Sequence, residues 1–150
     1  MISIRQPHRE EESAWLPLWG EYLDFYGEPL SGTIARLTLQ RFHDPGEPLW
    51  LLCAYSDDAM IGFVAYLFHR STWAFRHYCY LEDLFVASDH RSQGVARRLI
   101  EAVAAAAAEA GSERLYWVTR ANNTTAQALY DRLAEKTDFV QYRMPLDSRA

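Results

Sequence analysis

The sequence offers little with which to staple itself, cross a membrane or hold a metal. Its 150 residues contain two cysteines, Cys53 and Cys79, far apart and without metal-ligand spacing. Both read as buried free thiols, not as a disulfide framework or a zinc site. The five histidines are scattered and form no ligand pattern, so no metal is expected. No apolar run approaches the ~20 residues needed to span a bilayer. Residues 1–12 are polar and acidic beyond Ile4, unlike a signal peptide, and cytoplasm is the expected location. Repeats and low-complexity linkers are absent. An excess of basic charge is absent too. The net charge of −5 argues against nonspecific nucleic-acid binding and is compatible with a cationic acceptor such as an amine.

What is present suits a packed globular protein. Apolar residues make up 49% of the chain and aromatics 14%. At this length one domain over residues 1–150 with one core is expected. Ile2 to Arg5 alternates briefly as a first strand. Trp15, Leu18, Trp19, Tyr22, Leu23 and Tyr26 recur at amphipathic-helix spacing, with Pro17 requiring a late start or a kink. Residues 33–42 make a second short helix. Residues 49–55 and 60–68 read as strands joined by a tight connection at 56–59. A third strand covers about 77–86. A long helix runs from Gly94 to about Ala110, its alanines at 104–108 forming a face suited to close packing on a sheet. A buried strand at 114–119, another helix and a last strand at 139–146 complete an α+β plan with a mixed sheet.

Arg91-Ser92-Gln93-Gly94-Val95-Ala96-Arg97-Arg98 is the most informative stretch. It follows the strand-like Tyr80-Leu81-Glu82-Asp83-Leu84-Phe85-Val86 and opens the long helix. The first N–H groups of a helix lack carbonyl partners, and the helix dipole adds positive potential there. Gly94 and Ala96 let a phosphate approach the backbone, and three arginines flank the turn. A P-loop would need a Gly-Lys-Ser/Thr ending, which is absent. A dinucleotide fingerprint would need three spaced glycines where one stands, although Glu113 lies at a suitable distance for a ribose-binding acid. An exposed helix start with ordinary arginines is the plain alternative.

The spacing Arg-x-x-Gly-x-Ala resembles the acyl-CoA pyrophosphate loop of the GNAT N-acetyltransferase superfamily. Downstream, Asn123-Thr124-Thr125-Ala126-Gln127-Ala128-Leu129-Tyr130 resembles the Asn-x-x-Ala-x-x-Leu-Tyr helix that follows the CoA-binding unit. The two segments stand in the expected order over about residues 50–146. Tyr-Leu-Glu-Asp-Leu-Phe-Val and Ala-Gln-Ala-Leu-Tyr are closest to the diamine/polyamine and histone-acetyltransferase-like branches. The usual Gly-Phe after the tyrosine is missing.

The resemblance implies the GNAT fold: a central, mostly antiparallel sheet with splayed strands, flanked by about four helices. It implies acetyl-CoA as co-substrate and direct attack by a primary amine, on a polyamine-like small molecule or a protein lysine. Glu82 is then the expected base and Tyr130 the acid that protonates the departing thiolate. In a regular strand Glu82 and Asp83 point to opposite faces, and a bulge would change that parity. Asp83, Phe25 and Tyr26 are the expected acceptor contacts. Backbone groups of Leu84, Phe85 and Val86, the loop Arg91, Ser92, Gln93, Gly94, Val95, Ala96, Arg97, Arg98, and Asn123 are the expected cofactor contacts. Ordinary roles remain open beside these: an ion pair or loop cap for a carboxylate, a core tyrosine for Tyr130, a helix cap for Asn123. Branch members are often dimers, so the resemblance admits a homodimer, with no interface legible in the chain. A non-catalytic acyl-CoA sensor and a nucleotide-binding regulator are the rival readings.

Overall fold

Strand β1 (Ile2–Arg5) opens the chain and leads through a 3-10 turn (Arg9–Ala14) into helix α1 (Trp15–Tyr26). Pro17 neither delays nor kinks α1. It is the third helical residue, in the first turn, where a missing N–H costs no helical bond. Both terminal nitrogens of the Arg5 guanidinium donate to Glu11 at 2.8 Å, and this contact pulls the Glu11 carboxyl down to about 2. That pair fixes where α1 starts relative to β1. Helix α2 (Gly32–His43) follows, its first turn capped by the Ser31 hydroxyl, which accepts from the Ile34 N–H. The computed structural model describes residues 1–29 and 31–146.

Strands β2 (Trp50–Ser56) and β3 (Ala59–His69) form the expected hairpin around Asp57 and Asp58. Asp57 takes φ 53°, a left-handed conformation that aspartate tolerates. Strand β4 (Tyr78–Val86) pairs antiparallel with β3, and helix α3 (Val95–Glu109) carries the chain back to β5 (Leu115–Tyr116), parallel to β4. The sheet order is β1-β2-β3-β4-β5, mixed and mostly antiparallel.

On one face, Trp15, Leu18 and Ala35 from α1 and α2 meet Leu51, Cys53, Tyr55, Phe63 and Phe85. Trp15 stacks on Trp19 at 5.0 Å and meets the edge of Phe63 at 5.7 Å. Ala54 and Val64 alternate with these residues and are equally buried, so they belong to the opposite face, where α3 packs across β1 to β4. Val95, Leu99, Ile100, Val103 and Ala107 are the buried positions of α3. The alanine run contributes less than expected. Only Ala107 of residues 104–108 is buried, because the stripe returns at helical spacing and the other alanines fall outside it.

By compactness the chain divides after Trp117. The second unit holds helix α4 (Thr124–Leu133), with Asn123 as its cap. At this end one strand expectation is cut short and another fails. The run 114–119 is laddered only at Leu115 and Tyr116. Residues 139–146 form no strand, because no ladder among the described residues offers them a partner and their apolar side chains stand in solvent.

Candidate active site

Strand β4 is paired unequally along its length. Cys79 and Tyr80 have β5 on one side, and their register partners on β3 are Phe68 and Leu67. Beyond Tyr80 the β5 ladder stops, while β3 continues to pair up to Val86. The second edge of residues 81–86 pairs with no strand among the described residues. The strands therefore splay, and the N–H and C=O groups on that edge of Leu84, Phe85 and Val86 are placed to receive an extended ligand as an added strand. On the paired side the packing is close: a Cβ on Gly62 would lie 2.8 Å from the Phe85 carbonyl oxygen.

The splay begins at an irregularity. Ala65 is opposite Asp83 and Tyr66 is opposite Leu81, so Glu82 is the extra residue of a β-bulge. The adjacent carboxylates consequently sit in different surroundings. Glu82 is exposed. Asp83 is partly buried and hydrogen-bonded to the Tyr22 phenol. Burial pushes the Asp83 carboxyl up to about 6; the Tyr22 hydrogen bond pulls it back and the charge on Glu82 adds to the rise. Burial, with the Asp83 charge next, pushes the Tyr22 phenol well above its ordinary value, so Tyr22 stays protonated and donates. Tyr26 meets the Tyr22 ring edge-on at 5.0 Å, and Phe25, 55% exposed, meets Tyr26 at 5.3 Å. An aromatic wall with a carboxylate at its base can hold a cationic amine by charge and by cation–π attraction.

The loop after β4 has the shape of an anion cradle. Ser92 and Gly94 take φ 63° and 78°, in the left-handed region, and turns of this kind gather N–H groups into a concavity. Gly94 is the N-cap of α3, and a Cβ built on it would meet nothing within 4 Å, so the space over the helix start is open. The N–H groups of Val95, Ala96 and Arg97 precede the first helical bond, Arg98 N–H to the Gly94 carbonyl. The three arginine side chains do not act alike. Arg91 donates to the Val86 carbonyl at 3.0 Å and lies over the Phe85 ring, tying the loop to the end of β4. Arg97 pairs with Glu101 at 2.8 Å, and Arg98 reaches the Ile2 carbonyl at 2.7 Å. The cradle is therefore chiefly backbone.

In the second unit, Asn123 caps α4: its Oδ1 accepts from the Ala126 N–H at 3.3 Å and its Nδ2 donates to Thr119 Oγ1 at 3.4 Å. Gln127 donates to the carbonyls of Arg120 and Ala121, which fixes the turn into the helix. Tyr130 is partly buried on the same helix. Both thiols are buried. Burial pushes Cys53 up to about 12 and Cys79 to about 11, which removes Cys79 as an acyl acceptor at neutral pH.

Two features escaped the sequence reading. Tyr22 has the spacing of a core aromatic, and nothing local shows that its hydroxyl meets Asp83. At the base of the splay, the Tyr116 hydroxyl lies 2.6 Å from His69 Nε2, while His69 Nδ1 lies 2.8 Å from the Arg70 carbonyl. Nδ1–H must donate to that carbonyl, leaving Nε2 to accept from the phenol. Both pairs join strands or helices distant in sequence.

Comparison with known proteins agrees with this arrangement. Residues 10–134 match the model of the acetyltransferase (GNAT) family. The chain is 38% identical over 144 residues to the D-amino-acid N-acetyltransferase HPA3 of Saccharomyces cerevisiae, covering 95% of this chain and 89% of that one. It is 34% identical over 89 residues to the thialysine N-epsilon-acetyltransferase of Bos taurus, covering 59% of this chain and 48% of that one. Among solved structures, AAC(6')-Iy in complex with a CoA-linked bisubstrate analog superposes with a TM-score of 0.81 at 22% identity, covering 97% of this chain and 99% of that one. With the splayed β4 edge, the glycine-led start of α3 and a family match over most of its length, the chain belongs to the GNAT family of N-acetyltransferases.

Proposed function

We propose that the protein transfers the acetyl group of acetyl-CoA to the primary amine of a small acceptor, either a free amino acid or a polyamine-like molecule, in preference to a protein lysine. The observation that carries this reading is Asp83, held partly buried against Tyr22, whose ring meets Tyr26 edge-on, on the strand whose far edge is open. A carboxylate walled by aromatics suits one compact ammonium group. The relatives named for D-amino-acid and thialysine acetylation support a free amino acid as the first acceptor to try.

The pyrophosphate of the co-substrate would lie on the N–H groups of Val95, Ala96 and Arg97 over Gly94. Its pantetheine would run along Leu84, Phe85 and Val86 as an added strand; the family resemblance alone adds Asn123 to the groups expected on that arm. A main-chain N–H on this edge would polarise the thioester carbonyl. Asp83 and the wall of Phe25 and Tyr26 would receive the acceptor as its ammonium. A free alkylamine has a pKa near ~10.4, so the ammonium must lose a proton before attack. Glu82, exposed at the bulge, takes that proton directly or through water. The neutral amine nitrogen then bonds to the carbonyl carbon and the C–S bond breaks; the nitrogen gives up its second proton to water as the amide forms, and the leaving thiolate takes a proton from the acid that the family resemblance assigns to Tyr130, which water reprotonates.

The test is release of free thiol from acetyl-CoA against a panel of D- and L-amino acids, thialysine, ornithine, polyamines and lysine peptides. Turnover with a small acceptor, diminished in Asp83→Asn, is the expected result. Turnover confined to peptides would overturn the small-acceptor assignment. Acetyl-CoA binding without turnover on any acceptor would favour the sensor reading.

A further inference from the structure

Asp83 belongs to a row of side chains on one face of the sheet. Phe63, Ala65, Leu67 and His69 alternate along the face of β3 on which α1 lies. Their partners on β4 are Phe85, Asp83, Tyr80 and Tyr78. The Glu82 bulge brings Tyr80 to the Asp83 side and leaves Leu81 and Cys79 buried on the other. β5 extends the row sideways: Tyr116 is opposite Tyr80, with the rings 4.9 Å apart.

The row ends in a polar step. The Tyr116 side chain crosses β4 to place its hydroxyl 2.6 Å from Nε2 of His69, on β3. That hydroxyl donates to His69, so its oxygen has only acceptor capacity left. Arg114 stands two residues before Tyr116 on the same face, its guanidinium over the Tyr78 ring at 4.2 Å. Arg114 is exposed and makes no ion pair among the described residues. Burial raises the Tyr116 phenol and the Arg114 charge pulls it back, so the cation and the hydroxyl are neighbours. Tyr80, Tyr116 and His69 each keep part of their surface exposed.

The step faces Asp83 at a definite distance. Ala65 and His69, the partners of Asp83 and Tyr78, are four residues apart, about 13 Å along the strand. A contact of about 3 Å at each end leaves about 7 Å between the two charged groups of a ligand. Extended lysine has about that span, roughly 7 Å, between its side-chain amine and its carboxylate. We propose that Arg114 and the Tyr116–His69 pair form a second acceptor subsite, which reads the carboxylate and α-ammonium of a free basic amino acid and leaves its side-chain amine at Asp83 for acetylation. The carboxylate pairs with Arg114, the α-ammonium donates to the Tyr116 oxygen, and the methylenes lie on the Tyr80 ring. An α-amine stands too close to its own carboxylate to reach Asp83 and Arg114 together. A polyamine would set a second cation against Arg114, and a lysine within a peptide offers neither terminal charge. The subsite rests on the reading of Asp83 as the ammonium contact and narrows it to one class of acceptor.

The experiment compares kcat/KM for free lysine with three acceptors: cadaverine, which lacks the carboxylate; aminocaproate, which lacks the α-amine; and alanine, which has only an α-amine. NMR of the lysine product locates the acetyl group. Acetylation on the side-chain nitrogen is expected, with kcat/KM for cadaverine lower by about 10–100-fold, the worth of one charge-assisted contact. Arg114→Gln should close most of that gap by raising KM for lysine while leaving cadaverine unchanged. Tyr116→Phe should lower kcat/KM for lysine and spare aminocaproate. Acetylation on the α-nitrogen overturns the subsite, as does a kcat/KM for lysine no higher than for cadaverine or alanine. So does an Arg114→Gln effect shared by lysine and cadaverine, or a Tyr116→Phe effect shared by lysine and aminocaproate. Each of these leaves the small-acceptor reading standing, whereas no turnover of any free amine overturns both. The wild-type comparison decides the matter even if a variant fails to fold.

Discussion

The two halves of β4 share one strand and serve opposite ends. Its first half, Tyr78 to Leu81, is mostly buried, and Cys79 and Tyr80 are held between β3 and β5. Its second half keeps β3 alone and leaves its other edge open. The change falls at the Glu82 bulge, where backbone pairing, side-chain parity and burial all shift within one or two residues. The closed half fixes the position of the open half, so the main-chain groups on the open edge are held in place by β3 before any ligand arrives. The lesson is economical: a site can be made by ending a ladder early, with no special side chain at the place where the ligand pairs.

This contrast can be broken or sharpened at four places. Glu82→Gln should have the largest effect, lowering kcat by about 10²–10³-fold with acetyl-CoA affinity unchanged, since a base is worth about that much. Steady-state kinetics with a fixed acceptor reads it, and an unaltered kcat would exclude Glu82 as base. Gly94→Val should weaken acetyl-CoA binding by about 100-fold in calorimetry. A β-branched residue cannot hold φ 78° without strain of about 1–3 kcal/mol, and its methyl groups would stand in the space left for phosphate. Normal affinity in that variant would sink the cradle. Tyr130→Phe should lower kcat about tenfold or more and leave acetyl-CoA affinity within a few-fold, because only a proton donor is lost.

Asp83→Asn should give the subtlest result, visible as a pH dependence. The Asp83 pKa rises from 3.8 to about 6 on folding. Between those values the folded chain keeps a proton that the unfolded chain has released. The stabilisation from that proton is therefore complete below about pH 4 and lost as pH rises through 6. The asparagine variant never bears the buried charge. It should be the more stable protein at pH 8, by on the order of 2 kcal/mol, with the gap closing toward pH 4. Acceptor affinity of the wild type should fall as pH drops below about 6, when Asp83 is protonated, and the variant should show no such step. Thermal melts and acceptor titrations at three pH values would reveal both.

Local patterns were legible in the sequence. The apolar spacing of α1, the hairpin of β2 and β3 and the glycine at the head of α3 each follow from residues close together in the chain. The family signature added the order of the elements. What stayed hidden depends on distant partners. A bulge at Glu82 is set by the register against Ala65 and Tyr66, which the strand's own composition does not encode. The Tyr22 hydroxyl finds Asp83 only once α1 lies on the sheet. Nor does position in the loop show that Arg97 has Glu101 and Arg98 the Ile2 carbonyl as side-chain partners. Residues 139–146 have strand alternation, but a strand exists only when something pairs with it.

The two cysteines have a practical consequence at the bench. The reaction is followed by the appearance of a free thiol, and most reagents that detect one attack thiolates on the protein as well. Cys53 and Cys79 are fully enclosed and held protonated at working pH. The folded protein should therefore contribute no colour of its own, and a signal that grows without substrate would report that the core has opened.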